Sequence, residues 1–200
     1  AKAIYAGGNI SCAITRKDKL YCWGDHQYGQ LGEGNSIDIY QEIAPREIKS
    51  LGKVASVSIG AKHVCAVNVA SNAYCWGNNQ DKQLGNGILN NGLTSLNLGL
   101  LRAAQVSVEQ ASSCFLSRDR QIYCLDTNGD LVKKETITNA IALASGGSHS
   151  CALFRDSDTN KIGVKCWGSN TKGQAPIYIE KEDPFKDLNP SYQICNKIFK

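Results

Sequence analysis

The chain has 200 residues, of which 42% are hydrophobic and 20% are charged, an ordinary composition for one folded domain. Its net charge of +4 is small and its basic residues are scattered rather than gathered in runs, which argues against a nucleic-acid or acidic-membrane partner. No segment approaches the roughly 18 consecutive apolar residues of a membrane span, so none is predicted.

A cassette of two cysteines, followed in three copies by Trp-Gly, recurs along the chain. Its four copies are Cys12…Cys22-Trp23-Gly24, Cys65…Cys75-Trp76-Gly77, Cys114…Cys124-Leu125-Asp126 and Cys151…Cys166-Trp167-Gly168. The cysteines are ten positions apart in three copies and fifteen apart in the fourth. Such self-similarity indicates a supersecondary unit that must stack on copies of itself. We assign four repeats, at about 1–50, 51–100, 101–137 and 138–180.

Each cassette has the pattern of a β-hairpin. In the second copy an apolar run ends at Val67, a polar turn covers 68–72, and a second run returns through Cys75. Opposed residues of a non-hydrogen-bonded antiparallel pair lie about 4.5 Å apart, within reach of a disulfide. One bridge can therefore link the strands of each hairpin, with a stabilisation of about 2.5–3 kcal/mol from a loop of about ten residues.

Nine cysteines are many for this length, and eight of them fall into the four pairs. Zinc binding is the competing interpretation, but no pair has the short spacing of structural zinc sites. Disulfides are favoured, which predicts a secreted, periplasmic or cell-surface protein. Cys195 is the ninth cysteine and lies outside the four pairs. It belongs to a relic or beginning of a fifth unit, bridges to a partner chain, or lies free.

The recurring tryptophan has two interpretations. Strand alternation places Trp76 on the face opposite Cys75, where it either offers a ligand platform or fills the space between neighbouring sheets. In a repeat array we favour packing, because buried aromatic side chains dominate core energetics.

The segments around the cysteines resemble a known repeat. Residues 60–67 read GAKHVCAV, residues 146–153 read GGSHSCAL, and residues 23–32 read WGDHQYGQLG. This pattern resembles the regulator-of-chromosome-condensation repeat family, in its disulfide-bearing, mostly bacterial secreted form. The resemblance implies an all-β fold, a β-propeller over residues 1–180 in which each repeat supplies about one four-stranded blade. Residues 181–200 would be a tail or closing segment.

Two departures from the family pattern matter. Family propellers usually have seven blades, so four repeats imply a four-bladed ring, a partial arc of a larger propeller, or an assembly of several chains. We prefer the four-bladed ring because it leaves no open sheet edge. The third repeat has Glu109 and Leu125 where the other copies have glycine and tryptophan. At the histidine position it has Ser112, and the first repeat has Ile10. We expect a degenerate blade there, not an absent one.

The search for catalytic or metal-binding residues is mostly negative. His63 and His149 occupy equivalent repeat positions, which favours a structural hydrogen-bonding role, whereas His26 is predicted to be a surface residue. The acidic segments 126–130 and 156–160 begin like calcium loops but lack the required glycine and glutamate, so polar turns are predicted. We predict no catalytic residue, no metal and no cofactor.

The leading hypothesis is a secreted or periplasmic non-catalytic module that presents loops on one propeller face to a protein partner. An enzyme inhibitor is one version, since the family includes a secreted propeller that blocks an enzyme with aromatic loop residues. Candidate anchors are His26, Tyr28 and Tyr40, and Cys195 offers an inter-chain bridge.

Three other functions remain open. One is nucleotide exchange on a small GTPase, which the disulfides disfavour because they do not persist where such GTPases work. Another is a carbohydrate- or cell-wall-acting protein, for which the scattered carboxylates Glu33, Asp81 and Glu109 cannot be placed from sequence. The last is a structural segment of a larger surface protein.

Overall fold

The computed structural model describes residues 1–32, 41–85, 94–96 and 102–175. These residues form four antiparallel sheets and one short 3-10 turn, Lys49–Leu51. The all-β prediction is confirmed. Tyr40, Glu33 and Cys195 lie outside the described residues. No helix in the described part of the chain is long and apolar enough to cross a membrane.

The strands of each sheet lie side by side in chain order. The first sheet contains β1 (Ala3–Gly7), β2 (Ile10–Ile14), β3 (Leu20–Asp25) and β4 (Gln41–Glu47). The second contains β5 (Val54–Ile59), β6 (His63–Asn68), β7 (Ala73–Gly77) and β8 (Thr94–Leu96). The third contains β9 (Ala103–Val108), β10 (Ser113–Ser117), β11 (Ile122–Leu125) and β12 (Leu131–Lys133). The fourth contains β13 (Ala140–Ser145), β14 (His149–Arg155) and β15 (Ile162–Gly168).

Each predicted hairpin is present and is closed by its disulfide. The bridges are Cys12–Cys22, Cys65–Cys75, Cys114–Cys124 and Cys151–Cys166. In every sheet the two cysteines face each other in register on adjacent strands, with Cα atoms 4.0–4.1 Å apart. The alternation of side chains then gives each sheet two different faces, because the residue after the second cysteine points the other way. We call them the disulfide face and the tryptophan face.

The sheets stack with the disulfide face of one against the tryptophan face of the next. The first junction buries Cys12 and Cys22 together with Val57, Val64 and Trp76 of the second sheet. The second junction joins the disulfide face of the second sheet to the third, where Leu125 takes the place of the tryptophan. The third junction joins the third sheet to the fourth and includes Trp167. Trp76 and Trp167 therefore pack between sheets, as predicted, whereas Trp23 of the first sheet is half-buried and belongs to none of the three core clusters.

The four sheets form an open arc. Within the described residues, the three core clusters join consecutive sheets, and none includes residues of both the fourth and the first sheet. The preferred closed ring of four sheets thus has no closing core in this part of the chain. The alternative prediction, a partial arc, describes the arrangement.

Steric constraints explain why glycine follows tryptophan in this pair. Trp76 is fully buried, and its Nε1 donates a hydrogen bond to the carbonyl of Gln30 in the preceding repeat at 2.6 Å. Gly77 has φ +109°, and a Cβ there would lie 2.7 Å from the Lys62 carbonyl oxygen. Only glycine allows this approach, so the pair combines a filler of the space between sheets with a position where two backbone segments touch.

One end of the arc carries the hairpin turns. There, backbone hydrogen bonds connect each turn to the next sheet, and we call this series of bonds the ladder. Asp18, Ser71 and Arg120 occupy equivalent turn positions with φ between 59° and 68°. Their carbonyls accept hydrogen bonds from the first strand of the following sheet. The bonds are Val54 N to Asp18 O at 2.8 Å, Ala103 N to Ser71 O at 3.1 Å and Ala140 N to Arg120 O at 2.9 Å. This ladder fixes each sheet on the preceding turn.

Candidate functional site

His63 is a structural residue. It is fully buried, and its Nε2 lies 3.0 Å from Ser113 Oγ, which donates to the carbonyl of Gln83 at 3.0 Å. Burial lowers the pKa of His63 to about 3, so the side chain is neutral at physiological pH. This confirms the predicted structural role for His63. His149, at the equivalent position of the fourth sheet, is half-buried.

The loop after the third strand is built in the same way in three repeats. The side chain three positions after the tryptophan accepts a hydrogen bond from the backbone N–H of the residue five positions later in the chain. A glutamine side chain accepts a second hydrogen bond from the backbone N–H of the residue two positions before it. The first set of bonds is Leu31 N to His26 Nδ1 at 3.3 Å, Leu84 N to Asn79 Oδ1 at 2.9 Å and Ala175 N to Asn170 Oδ1 at 3.0 Å. The second is Tyr28 N to Gln30 Oε1 at 2.7 Å, Asp81 N to Gln83 Oε1 at 2.9 Å and Lys172 N to Gln174 Oε1 at 2.7 Å. These loops are preorganised by their own side chains.

Two of the predicted partner-binding residues, His26 and Tyr28, differ in their burial. His26 is 4% exposed, so its prediction as a surface residue is wrong. It replaces the asparagine of the other repeats as the acceptor within the loop. Tyr28 is half-buried at the surface, with the Lys62 ammonium 5.5 Å from its ring centroid. The alignment of His26 with Asn79 and Asn170 was the available signal for its role.

The acidic turns bind their own backbones. Asp126 Oδ1 accepts the N–H groups of Asn128 and Asp130, at 2.8 and 2.9 Å. In the turn that follows β14, hydrogen bonds from Thr159 lower the pKa of Asp156. Of the predicted carboxylates, Glu109 accepts a hydrogen bond from Ser150, and Asp81 is exposed. Within the described residues no group of three or more His, Cys, Asp or Glu is arranged to hold a metal ion.

Charge is divided between the two ends of the arc. The turn end consists of the hairpin turns 15–19, 69–72, 118–121 and 156–161 and the segments 1–2, 48–53, 102 and 134–139 that lead into first strands. Its cations are Lys2, Arg16, Lys17, Lys19, Lys49, Lys53, Arg102, Arg118, Arg120, Lys134 and Lys161. Its anions are Asp18, Asp119, Glu135, Asp156 and Asp158. Cations therefore outnumber anions there by about two to one.

The opposite end, which we call the loop end, is different. It carries the loops after the third strands and the connections between first and second strands. The charged side chains among its described residues are Lys62, Lys82, Lys172, Asp81, Glu109, Asp126 and Asp130. In these described residues three cations face four anions, so the cation excess of the turn end is missing. Sequence reasoning missed this asymmetry, because the basic residues are scattered along the chain and only the stacking of the hairpins brings them together.

Several turn-end cations are available to a partner. Arg16, Lys17, Lys53, Arg102 and Arg120 are exposed and form no ion pair within the described residues. Lys2 and Lys19, in contrast, pair with Asp18 and Glu47. The turn end is thus a cationic surface held on a rigid backbone ladder.

Two solved structures resemble this arc. Human WBSCR16 superposes with a TM-score of 0.69 and 17% identity, over 84% of this chain and 47% of that one. Prp20p of Saccharomyces cerevisiae superposes with a TM-score of 0.66 and 19% identity, over 83% of this chain and 44% of that one. At these identities the likeness shows the fold alone, which is the predicted β-propeller, present here as an arc and not as the preferred four-bladed ring.

Sequence comparison identifies the repeat. The chain is 36% identical over 86 residues to the Ultraviolet-B receptor UVR8 of Arabidopsis thaliana, which covers 42% of this chain and 19% of that protein. The chain thus spans about a fifth of UVR8 and less than half of the two solved chains. A model of the regulator of chromosome condensation (RCC1) repeat matches residues 17–67, and a second model of that repeat matches residues 1–30, 54–83 and 140–174. Together these matches include more than half of the residues, and the chain belongs to the RCC1 repeat family.

Proposed function

We propose that this chain is a non-catalytic protein-binding module whose turn end binds an acidic surface of a protein partner. The observation that carries the proposal is the concentration of exposed, unpaired cations at that end. Complementary charge accelerates association and suppresses binding to wrong partners. The ladder that holds the turns reduces the entropy lost on binding.

A protein fits this surface better than a nucleic acid does. Carboxylates alternate with the cations in the turns, as Asp18 does with Lys17 and Asp119 with Arg120, and they would face phosphates unfavourably. The described turn-end segments contain no aromatic residue on which a base could stack. Prp20p, which shares the fold, is described as binding Gsp1p and histones, which are proteins.

The four disulfides support a secreted, periplasmic or cell-surface location for this function. An extracellular enzyme with an acidic rim around its active site is one partner that fits, and the module would then inhibit it. No observation favours nucleotide exchange or carbohydrate chemistry, so neither is proposed. Tyr28 beside Lys62 offers a competing binding surface at the loop end.

Charge reversal at each end tests the proposal. The turn-end variant is Arg16→Glu, Lys17→Glu and Arg120→Glu, and the matched loop-end variant is Lys62→Glu, Lys82→Glu and Lys172→Glu. Both change the net charge equally. Partners are captured by cross-linking from an oxidising extract of the source and identified by mass spectrometry. We expect a protein that the wild type and the loop-end variant capture but the turn-end variant does not, with salt-sensitive binding.

Three outcomes would contradict the proposal. Loss of the partner with the loop-end variant alone would move the site to Tyr28 and Lys62. Capture that a nuclease abolishes would indicate a nucleic acid. Turnover of a captured molecule by the wild type would show an enzyme. Circular dichroism and a disulfide map confirm that both variants are folded.

A further inference from the structure

The hairpin turn of the third repeat concentrates arginine. Of the six arginines in the chain, three lie in this turn or in the segment beside it, namely Arg102, Arg118 and Arg120. All three are exposed, and none forms an ion pair within the described residues. We call them the arginine trio.

Two members of the trio face each other across the third sheet. The register that pairs Ser117 with Ala103 continues with Arg118 opposite Arg102, whose carbonyl accepts the Arg118 N–H at 2.7 Å. Side chains at directly opposed positions lie on one face of a sheet, where like charges are destabilising. A bound anion would relieve this repulsion.

The equivalent positions of the other sheets lack such a pair. Each contains one cation and one uncharged residue. The pairs are Lys2 with Thr15, Lys53 with Val69, and Arg155 with Asn139. Among these four pairs, the third sheet alone opposes two cations. The repulsion is therefore a property of the third repeat and not of the fold.

Ser71 of the preceding repeat holds one guanidinium in place. Nε of Arg118 donates a hydrogen bond to Ser71 Oγ at 2.6 Å, and Ser71 is 8% exposed. The carbonyl of Ser71 also accepts the N–H of Ala103, next to Arg102, at 3.1 Å. This side-chain bond uses one of the five N–H donors of a guanidinium. It orders Arg118 before binding, which reduces the entropy lost when a ligand binds.

A guanidinium recognises the geometry of a carboxylate as well as its charge. Its planar fork donates two parallel hydrogen bonds to one carboxylate, whereas the ammonium of lysine acts as a compact point charge. Phosphate also fits the fork, but Asp119 lies between Arg118 and Arg120 and repels the second charge of a phosphate. Carboxylates therefore match the trio better.

We propose that the arginine trio is the specificity-determining part of the turn end and binds neighbouring carboxylates of an acidic segment in the protein partner. This inference rests on the proposed function, because it takes the turn end as the binding surface. It adds that recognition depends on guanidinium geometry in addition to charge. Other turn-end cations, such as Arg16 and Lys17, then contribute chiefly to the rate of association.

A charge-conserving exchange separates geometry from charge. The trio variant is Arg102→Lys, Arg118→Lys and Arg120→Lys. The matched control exchanges the three arginines of the first and fourth repeats, as Arg16→Lys, Arg46→Lys and Arg155→Lys. Neither exchange alters the net charge. The probe is a fluorescently labelled oligoglutamate peptide, titrated against the full chain at low ionic strength and followed by anisotropy. We expect the trio variant to bind about tenfold more weakly than the wild type, and the control to stay within about twofold.

Ser71→Gly tests the positioning of Arg118 without touching the trio. Glycine accepts the φ of 68° at this position and keeps the carbonyl, but it removes the hydroxyl that holds the guanidinium. We expect peptide binding to weaken by about threefold. The matched control is Asn160→Gly, which also lies at a positive φ and removes a side chain bonded to Arg155, outside the trio. It should bind like the wild type.

Failure of this inference is distinguishable from failure of the proposed function. Peptide binding that the turn-end charge reversal abolishes but the trio variant retains would leave the proposed function intact and overturn the inference. Binding that the charge reversal leaves unchanged, or no binding by the wild type, would overturn both.

Two further results would overturn the inference alone. One is equal weakening by the trio variant and the control exchange, because arginine would then have no special role at the third repeat. The other is tighter binding of a phosphoserine peptide of the same length, because the trio would then be a phosphate site. Circular dichroism and a disulfide map confirm that every variant is folded.

Discussion

The second and fourth sheets are built from the same cassette but have different surroundings. Both contain a bridged hairpin, a histidine before the first cysteine and a Trp-Gly pair after the second. In the second sheet these groups are enclosed on both faces. In the fourth, the described residues enclose them only where Trp167 packs toward the third sheet. The comparison teaches that the cassette specifies the hairpin, whereas burial depends on the neighbour.

The largest expected difference concerns the tryptophans. Trp76→Ala should lower the free energy of unfolding by about 3–5 kcal/mol, because it opens a cavity and leaves the Gln30 carbonyl without its donor. Trp167→Ala should cost roughly 1–2 kcal/mol, since that ring is only partly buried. Urea unfolding of both variants measures the difference. Equal losses would show that the fourth sheet is as enclosed as the second.

Removal of a disulfide separates loop entropy from packing. Closing a loop of ten or fifteen residues is worth about 2.5–3 kcal/mol by chain entropy alone, so the two bridges should differ little on that account. Cys65→Ala with Cys75→Ala should nevertheless cost more than Cys151→Ala with Cys166→Ala, because the first pair is fully buried. Unfolding in urea gives both values, and capture of the partner should survive in both folded variants. A greater loss for the fourth-sheet pair would contradict the comparison.

His63 should make the stability of the protein depend on pH. Its pKa is lowered to about 3 by burial, whereas the unfolded chain takes up this proton below about pH 6.5. The contribution to stability is therefore complete above pH 6.5 and is lost as the pH falls toward 3, with about 2 kcal/mol lost by pH 5.

The matched variant is His63→Ile with Ser113→Val, which copies the apolar pair Ile10 and Val64 of the first junction. Urea unfolding at several pH values should show a shallower pH dependence for this variant than for the wild type. Identical slopes would mean that the pKa of His63 is not depressed in the folded protein.

The smallest expected effect concerns an exposed position. Ile4→Ser should change the free energy of unfolding of the monomer by less than about 0.5 kcal/mol, because the side chain is 71% exposed. Val57→Ser, at the equivalent buried position, should cost more than about 2 kcal/mol. Urea unfolding of both variants measures the two losses. A large loss for Ile4→Ser in the monomer would show that the first sheet is covered within one chain.

The sequence predicted the hairpins, their disulfides and the packing of Trp76 and Trp167, because spacing and alternation act locally. It did not predict the role of His26, since a histidine in a polar loop looks exposed until its alignment with Asn79 and Asn170 is noticed. It also missed the cationic turn end. Residues as distant as Arg16 and Arg120 share one end of the molecule only because the hairpins stack in the same direction. The choice between ring and arc depended on the angle between sheets, which no local pattern encodes.

The ladder at the turn end has a consequence for how such a chain can diverge. Its bonds join main-chain groups, so they require no particular side chain, only an N–H donor, which excludes proline, and a turn residue that tolerates a positive φ. The third repeat has lost the tryptophan, the following glycine and the histidine, yet Ala103 and Ala140 keep their bonds to Ser71 and Arg120. Selection can therefore alter the side chains of a repeat substantially, and hence its outward surface, while the backbone still holds that repeat in line.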